Sequence, residues 1–237
     1  MRGIVIMKLK KIRNIQEKCN REKRIISILM IIMLLSCYLN PVSAFAKTYN
    51  GQKAADYARQ YALNPNSSYY DFGKVDCTNF VSQCVVAGGY SMCVNNDFKS
   101  KPNILKKYIC DNGERFWYMK KVKRKVGYDY WQYSKSWSTV GGFYNYCMYH
   151  NGTAIIKKYD VSNKKSLESL KKSANVGDVL QINGNKEQHS IIVTQKKNNT
   201  LYYSGHSAGR DNEIIDKFIE DAKRNKDKIV IRIQFVG

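Results

Sequence analysis

Asp76-Cys77-Thr78-Asn79-Phe80-Val81-Ser82-Gln83-Cys84-Val85-Val86-Ala87-Gly88-Gly89 is the stretch on which the reading of this chain turns. Phe80, Val81, Cys84 and Val85 recur at helical spacing, Asp76 stands where an N-cap belongs, and Gly88-Gly89 supply a stop. The spacing predicts a helix that opens at Cys77 and packs firmly on a core. Unpaired N–H groups and the positive end of the helix dipole favour a thiolate in a first turn, and the thiolate is the nucleophilic form. Position alone therefore singles out Cys77, whereas Cys84, mid-helix on the apolar side, reads as packing.

Upstream, Gln52 to Ala62 reads as a helix with Ala54, Ala55, Ala58, Tyr61 and Ala62 on one face, ended by the turn residues Asn64-Pro65-Asn66-Ser67-Ser68. Downstream, residues 90–165 hold all three Trp and many Tyr and read as loops and short helices walling a cleft. The last third changes character. After a short helix over 166–173, strands are expected at 179–182, 188–196 and 200–206, with turns at Asn183-Gly184 and Asn198-Asn199. The alternating 229–236 closes the sheet. Helices first and an antiparallel sheet later make an α+β plan.

A nucleophilic cysteine needs a base, and the chain offers His150, His189 and His206. His189 begins the apolar strand Ser190-Ile191-Ile192-Val193, and a histidine at a sheet rim can face the N-terminus of a helix packed on that sheet. A hairpin turning at Asn198-Asn199 brings His206 to the same edge, where it would orient the His189 ring and fix its tautomer. His150 has no such setting. Cys147-x-x-His150 has half of a zinc spacing but no matching second pair, so neither a metal nor a cofactor is expected.

Residues 1–46 read as a secretory signal peptide. A basic stretch with nine Lys/Arg against two Glu precedes the uncharged run Ile25 to Leu39, and Ala44-Phe45-Ala46 forms an A-x-A site, with cleavage after Ala46. Lipidation at Cys37, after Leu34-Leu35-Ser36, is the alternative. The remaining 191 residues suit one domain. The leader takes +7 of the formal +21, which leaves +14 on residues 47–237. Such a balance favours anionic partners. An exported protein makes nucleic acid a poor candidate and an anionic cell-wall polymer or membrane surface a better one, with no stable membrane span once the leader is gone. The basic run Lys120-Lys121-Val122-Lys123-Arg124-Lys125 reads as a solvated loop or as a polyanion contact. Cys77, Cys84, Cys93, Cys110 and Cys147 make an odd count that leaves one thiol over if the others pair. The alternative is that the others are buried small hydrophobes.

Asp76 to Gln83 followed by Ala87-Gly88-Gly89 resembles the bacterial "putative amidase" domain family, a branch similar to papain-like hydrolases beside the NlpC-type and CHAP peptidoglycan hydrolases. Tyr49 to Ala58, Trp137 to Val140, Gly177 to Gln181, His189 to Thr194 and Tyr203 to Ser207 resemble its other blocks, so the likeness runs from about Tyr49 to Asp216. It implies a papain-like fold with Cys77 as nucleophile and His189 as base. It also implies His206 at the orienting position, and Asn212 stands in reserve because papain-like enzymes place Asn there. Residues 90–135 depart most from the family.

The reading that follows is a secreted cysteine amidase or peptide-stem endopeptidase acting on peptidoglycan. A secreted protease with the same chemistry, or a non-catalytic wall-binding module, are the alternatives.

Overall fold

The computed structural model describes residues 49–100, 106–150, 154–206 and 209–236. The leader, its cleavage site and Cys37 lie outside the described residues.

Residues 47–237 form one compact unit. Its first helix, α1 (Gly51–Tyr61), is capped by Asn50, whose side chain accepts from the Lys53 amide, and it buries Ala54, Ala55 and Ala58. A 3-10 turn (Gly73–Val75) leads into α2 (Cys77–Ala87), the helix that the opening stretch predicts, with Gly88 at its C-cap. Three strands follow, β1 (Tyr108–Asp111), β2 (Met119–Val122) and β3 (Tyr130–Ser134), which form a small sheet in the order β1-β3-β2. After α3 (Lys135–Ser138) and α4 (Val140–Tyr149) come β4 (Ala154–Asp160) and α5 (Lys164–Ser173). The chain ends with β5 (Val179–Asn183), β6 (Gln188–Lys197), β7 (Thr200–Gly205), β8 (Arg210–Ile214), α6 (Asp216–Lys223) and β9 (Ile229–Phe235).

The large sheet has the order β4-β9-β5-β6-β7-β8 with every neighbouring pair antiparallel. This bears out the α+β plan and corrects two expectations. β9 does not close the sheet: it lies between β4 and β5, and β4 forms the edge. Residues 90–165 are not loops and short helices alone, because β1–β4 run through them. Short, aromatic-rich strands such as Tyr130–Ser134, buried at four of five positions, lack the alternation by which a half-buried strand is recognised.

Strand alternation sorts the core into two. Val179, Ile192, Ile231 and Ile233 face Phe80, Val81, Cys84 and Val85 of α2, together with Trp117, Trp137 and Phe143. Leu180, Ile182, Ile191, Val193, Leu201 and Tyr203 face the other way, onto Leu170 of α5 and Phe218, Ile219 and Ala222 of α6. Each sheet face thus carries helices: α5 is the helix expected over 166–173, whereas α6 has no counterpart in the sequence reading. The β6–β7 turn has Asn198 and Asn199 at φ 46° and 63°, the left-handed pair that a two-residue hairpin needs and that Asn tolerates.

Candidate active site

The polar residues of α2 explain why this helix sits where it does. Thr78, Asn79, Ser82 and Gln83 are all buried, on a helix whose apolar face is already in the core. Each has a partner, as buried polar groups must. Asn79 donates to the Tyr70 carbonyl and to Asp76 Oδ1 and accepts from Trp137 Nε1 at 2.6 Å. Ser82 Oγ donates to the Trp137 carbonyl and accepts from Trp117 Nε1, while Tyr57 donates to Gln83 Oε1. Thr78 Oγ1 lies 3.0 Å from Ser190 Oγ of β6, which in turn accepts from Gln181 Nε2 of β5. The first turn of α2 is therefore pinned to the central strands beside His189. Gln181 Oε1 is buried with no partner among the described residues.

Asp76 occupies the N-cap position but makes no capping bond, a correction to the sequence reading. Its carboxylate instead accepts from the Phe72 amide, from Asn79 Nδ2 and from His206 Nδ1. The first intrahelical bond runs from the Phe80 amide to the Asp76 carbonyl. The Thr78 amide donates to the Cys77 sulfur, whereas the Cys77 amide has no hydrogen bond among those of the described residues, the usual state of a helix start left uncapped. It is a donor open to an anion.

The Cys77 sulfur has Thr78 Oγ1 at 3.8 Å and the backbone amides of Ser190 and Thr78 as hydrogen-bond partners. It therefore rests against the peptide that joins His189 to Ser190. Burial pushes the thiol up from its ordinary value, and these three hydrogen bonds pull the other way without cancelling it. Burial thus works against the thiolate that the helix position favours.

His189 opens onto the same cleft as Cys77, a space of about 500 Å3. Lys74 and Val75 line one side, Ser138, Thr139 and Val140 at the α3–α4 junction another, and Glu187, Gln188 and Asp221 the remainder. The cleft exists because β7 pairs with β6 only from Ile192 onward, leaving the His189 end of β6 uncovered by a strand. Alternation puts Ser190 on the α2 face, whereas the His189 ring lies 6.2 Å from the Phe218 ring of α6. No hydrogen bond joins the Cys77 sulfur to His189 among those of the described residues. Burial depresses the His189 pKa to about 4, a fall that Asp221 opposes and Arg210 reinforces. The ring is neutral at pH 7 and able to accept a proton.

His206 is elsewhere. Its Nδ1 meets Asp76 Oδ2 at 2.5 Å, its Nε2 meets the Tyr61 carbonyl at 2.8 Å, and its ring stacks on Phe80. Both ring nitrogens face acceptors, so both carry hydrogen and the ring is an imidazolium. Burial favours the neutral ring, but the Asp76 and Tyr61 bonds prevail and the pKa is raised. With both nitrogens engaged and no place in the cleft lining, His206 does not orient His189. The hairpin does turn at Asn198-Asn199, but strand parity and the break after Gly205 carry His206 to the start of α2 instead. Asn212 does not line the cleft either. Its Oδ1 accepts from Thr194 Oγ1 and its Nδ2 donates to Gln195 Oε1, with φ 49° at a strand position.

The group that the sequence reading missed is Asp221. It lines the cleft with His189 from the last turn of α6, held by Lys217 Nζ and Arg224 Nη1 at 3.1 Å each. Phe218, Ile219 and Ala222 give this helix a legible apolar stripe. Nothing local distinguishes Asp221 from neighbouring acids, since its role depends on where α6 docks. Among the described residues no three His, Cys, Asp or Glu side chains cluster as metal ligands. His150 Nε2 contacts the Arg115 carbonyl at the surface, while Cys147 is buried. All five described cysteines are free thiols, and Cys84 and Cys147 are the buried ones.

Comparison with known proteins adds the family. An uncharacterized protein, YjcM of Bacillus subtilis (strain 168), is 29% identical over 184 residues. The match covers 73% of this chain but 34% of the relative, so the chain spans about a third of that protein's length. No solved structure matches. The domain described as "Putative amidase domain" matches residues 48–230, taking in the α2 stretch, the cleft and every strand of the large sheet up to the start of β9. The chain belongs to this amidase domain family, which points to an amidase-like hydrolase.

Proposed function

We propose that the chain is a cysteine-dependent amide hydrolase of papain-like organisation, exported by its leader, which cuts an amide bond in peptidoglycan. The observation that carries this reading is the shared cleft: the thiol at an uncapped helix start and a neutral histidine open into one space beside an acid.

The chemistry follows from the protonation states. With the thiol raised and the imidazole depressed, the resting pair is neutral. His189 removes the Cys77 proton as the sulfur attacks the carbonyl carbon, and the substrate oxygen becomes an oxyanion. The free Cys77 amide is the donor for that charge, and such a donor is worth about 3 kcal/mol when it meets an oxyanion. His189 then protonates the leaving amine, the C–N bond breaks and a thioester remains. Water, deprotonated by His189, clears the thioester and releases the acid. Asp221 stabilises the imidazolium in both half-reactions. The reaction requires the His189 ring to come within hydrogen-bond reach of the sulfur when substrate fills the cleft.

Purified peptidoglycan digested with the wild-type chain and with Cys77→Ala, with products read by mass spectrometry, tests the proposal. A new free amine and carboxylate from the wild type alone are expected. Equal release by a folded Cys77→Ala chain overturns it.

A further inference from the structure

The basic run that the chemistry does not use has a defined form. β2 and β3 make a hairpin whose residues 119–134 carry five cations and one acid. Its loop is fastened at the neck. Asp129 accepts from the Arg124 amide and pairs with Lys123 Nζ at 2.8 Å, and the Arg124 guanidinium lies 4.5 Å over the Tyr130 ring while donating to the Lys106 carbonyl. Beyond this neck the tip Lys125-Val126-Gly127-Tyr128 stands out, with Val126 75% and Tyr128 76% exposed. Gly127, at φ 84°, makes the reversal.

A hairpin that served only as a solvated loop has no reason to present a valine and a tyrosine at its apex. Two large exposed apolar side chains beside the exposed Lys121, Lys123 and Lys125, of which Lys121 lies over the Trp131 ring and Lys123 pairs with Asp129, suit an interface where hydrocarbon meets negative charge. Tyrosine is enriched at the headgroup level of bilayers, and exposed cations are drawn to anionic lipid. A soluble phosphate polymer would use the cations but gain nothing from Val126. We infer that the β2–β3 hairpin tip is a membrane-surface contact, in which Val126 and Tyr128 enter the headgroup region of an anionic bilayer and the surrounding lysines bind its phosphates. This contact is independent of the chemistry at Cys77.

The test uses the full chain and a probe at the tip, so that the apolar leader does not contribute to the signal. Tyr128→Trp is mixed with phosphatidylglycerol vesicles whose acyl chains carry bromine, with uncharged phosphatidylcholine vesicles of the same bromine content, and with inorganic polyphosphate. Because each cation near an anionic surface is worth about a fivefold change in affinity, Lys121→Gln, Lys123→Gln and Lys125→Gln together should raise the lipid concentration for half-maximal quenching on the order of 100-fold. Quenching and a blue shift of the added tryptophan with the anionic vesicles alone, weakened by salt, support the inference. Absence of quenching overturns it, as does quenching equal on both vesicles. If polyphosphate binds and the vesicles do not quench, the partner is a soluble polyanion and the inference is wrong.

Discussion

His206 and Asp76 form a buried ion pair directly behind the nucleophile, with imidazole Nδ1 2.5 Å from the carboxylate one residue before Cys77. While Oδ2 of Asp76 holds His206, Oδ1 accepts from the Phe72 amide and Asn79 Nδ2, so neither oxygen caps the helix. The carboxylate thus ties α2 to His206 and to the preceding loop while leaving the Cys77 amide free.

Stability should report this pair through pH. The folded-state pKa of His206 lies above the ordinary 6.5, so the folded chain keeps a proton that the unfolded chain releases. The contribution is complete below pH 6.5 and fades as pH rises through the folded pKa. His206→Ala, which strands a buried carboxylate, should cost about 3 kcal/mol or more and remove this alkaline decline. Urea unfolding of both chains from pH 5 to 9 measures it, and parallel curves would show that His206 is not charged.

The thiol gives a second test. Burial raises Cys77, so iodoacetamide should modify it slowly at pH 6, with a rate that keeps climbing beyond pH 9. Thr78→Val removes a hydroxyl partner of the sulfur and should move that rise to still higher pH. A plateau reached by pH 7 would mean that the helix terminus outweighs desolvation.

Much of this was legible in the sequence because it is local. The start of α2 at Cys77, the Asn198-Asn199 turn and the strand leading from His189 follow from spacing and turn chemistry. His206 was misplaced because its neighbourhood depends on the one place where β7 leaves β6, which no periodicity records. Asp221 was missed for a related reason: α6 brings it under His189 by packing Phe218 and Ala222 on the far face of the sheet. The burial that pushes the Cys77 thiol up is likewise a quantity that spacing does not carry.

Asp221 should act on rate through His189. We expect Asp221→Asn to reduce kcat by about 10- to 100-fold and His189→Ala to lose nearly all activity. The carboxylate opposes the depression of His189 to about 4, so its loss should move the acid limb of kcat/KM to lower pH. A fall in rate with an unmoved limb would reduce Asp221 to a structural partner of Lys217 and Arg224.

Arg232 and Asp178 offer a control remote from the reaction. Arg232 Nε meets Asp178 Oδ2 at 2.6 Å with both side chains buried. Removing Arg232 takes the ion-pair partner from a buried carboxylate that keeps only the Asn175 amide as a donor among the described residues, at a cost of about 3–5 kcal/mol. Arg232→Ala should therefore lower the urea midpoint strongly, and the fraction that stays folded should keep normal reactivity at Cys77.

The last prediction separates two reasons for glycine. Gly73 and Gly177 both have positive φ, 64° and 87°. A Cβ at Gly73, just before the cleft residues Lys74 and Val75, meets nothing within 4 Å, whereas one at Gly177 falls onto the backbone of Gly51, where α1 begins. Gly73→Ala therefore costs only the left-handed backbone penalty, about 1–2 kcal/mol. Gly177→Ala adds a backbone clash that no side-chain rotation relieves, between the first residue of α1 and the turn into β5, which the Tyr49 hydroxyl closes by donating to the Gly177 carbonyl at 2.7 Å. It should cost well over 3 kcal/mol or prevent folding. Urea midpoints of the two variants decide the point. Equal losses would mean that the Gly51–Gly177 approach can open without penalty, and that the start of α1 is not fixed by it.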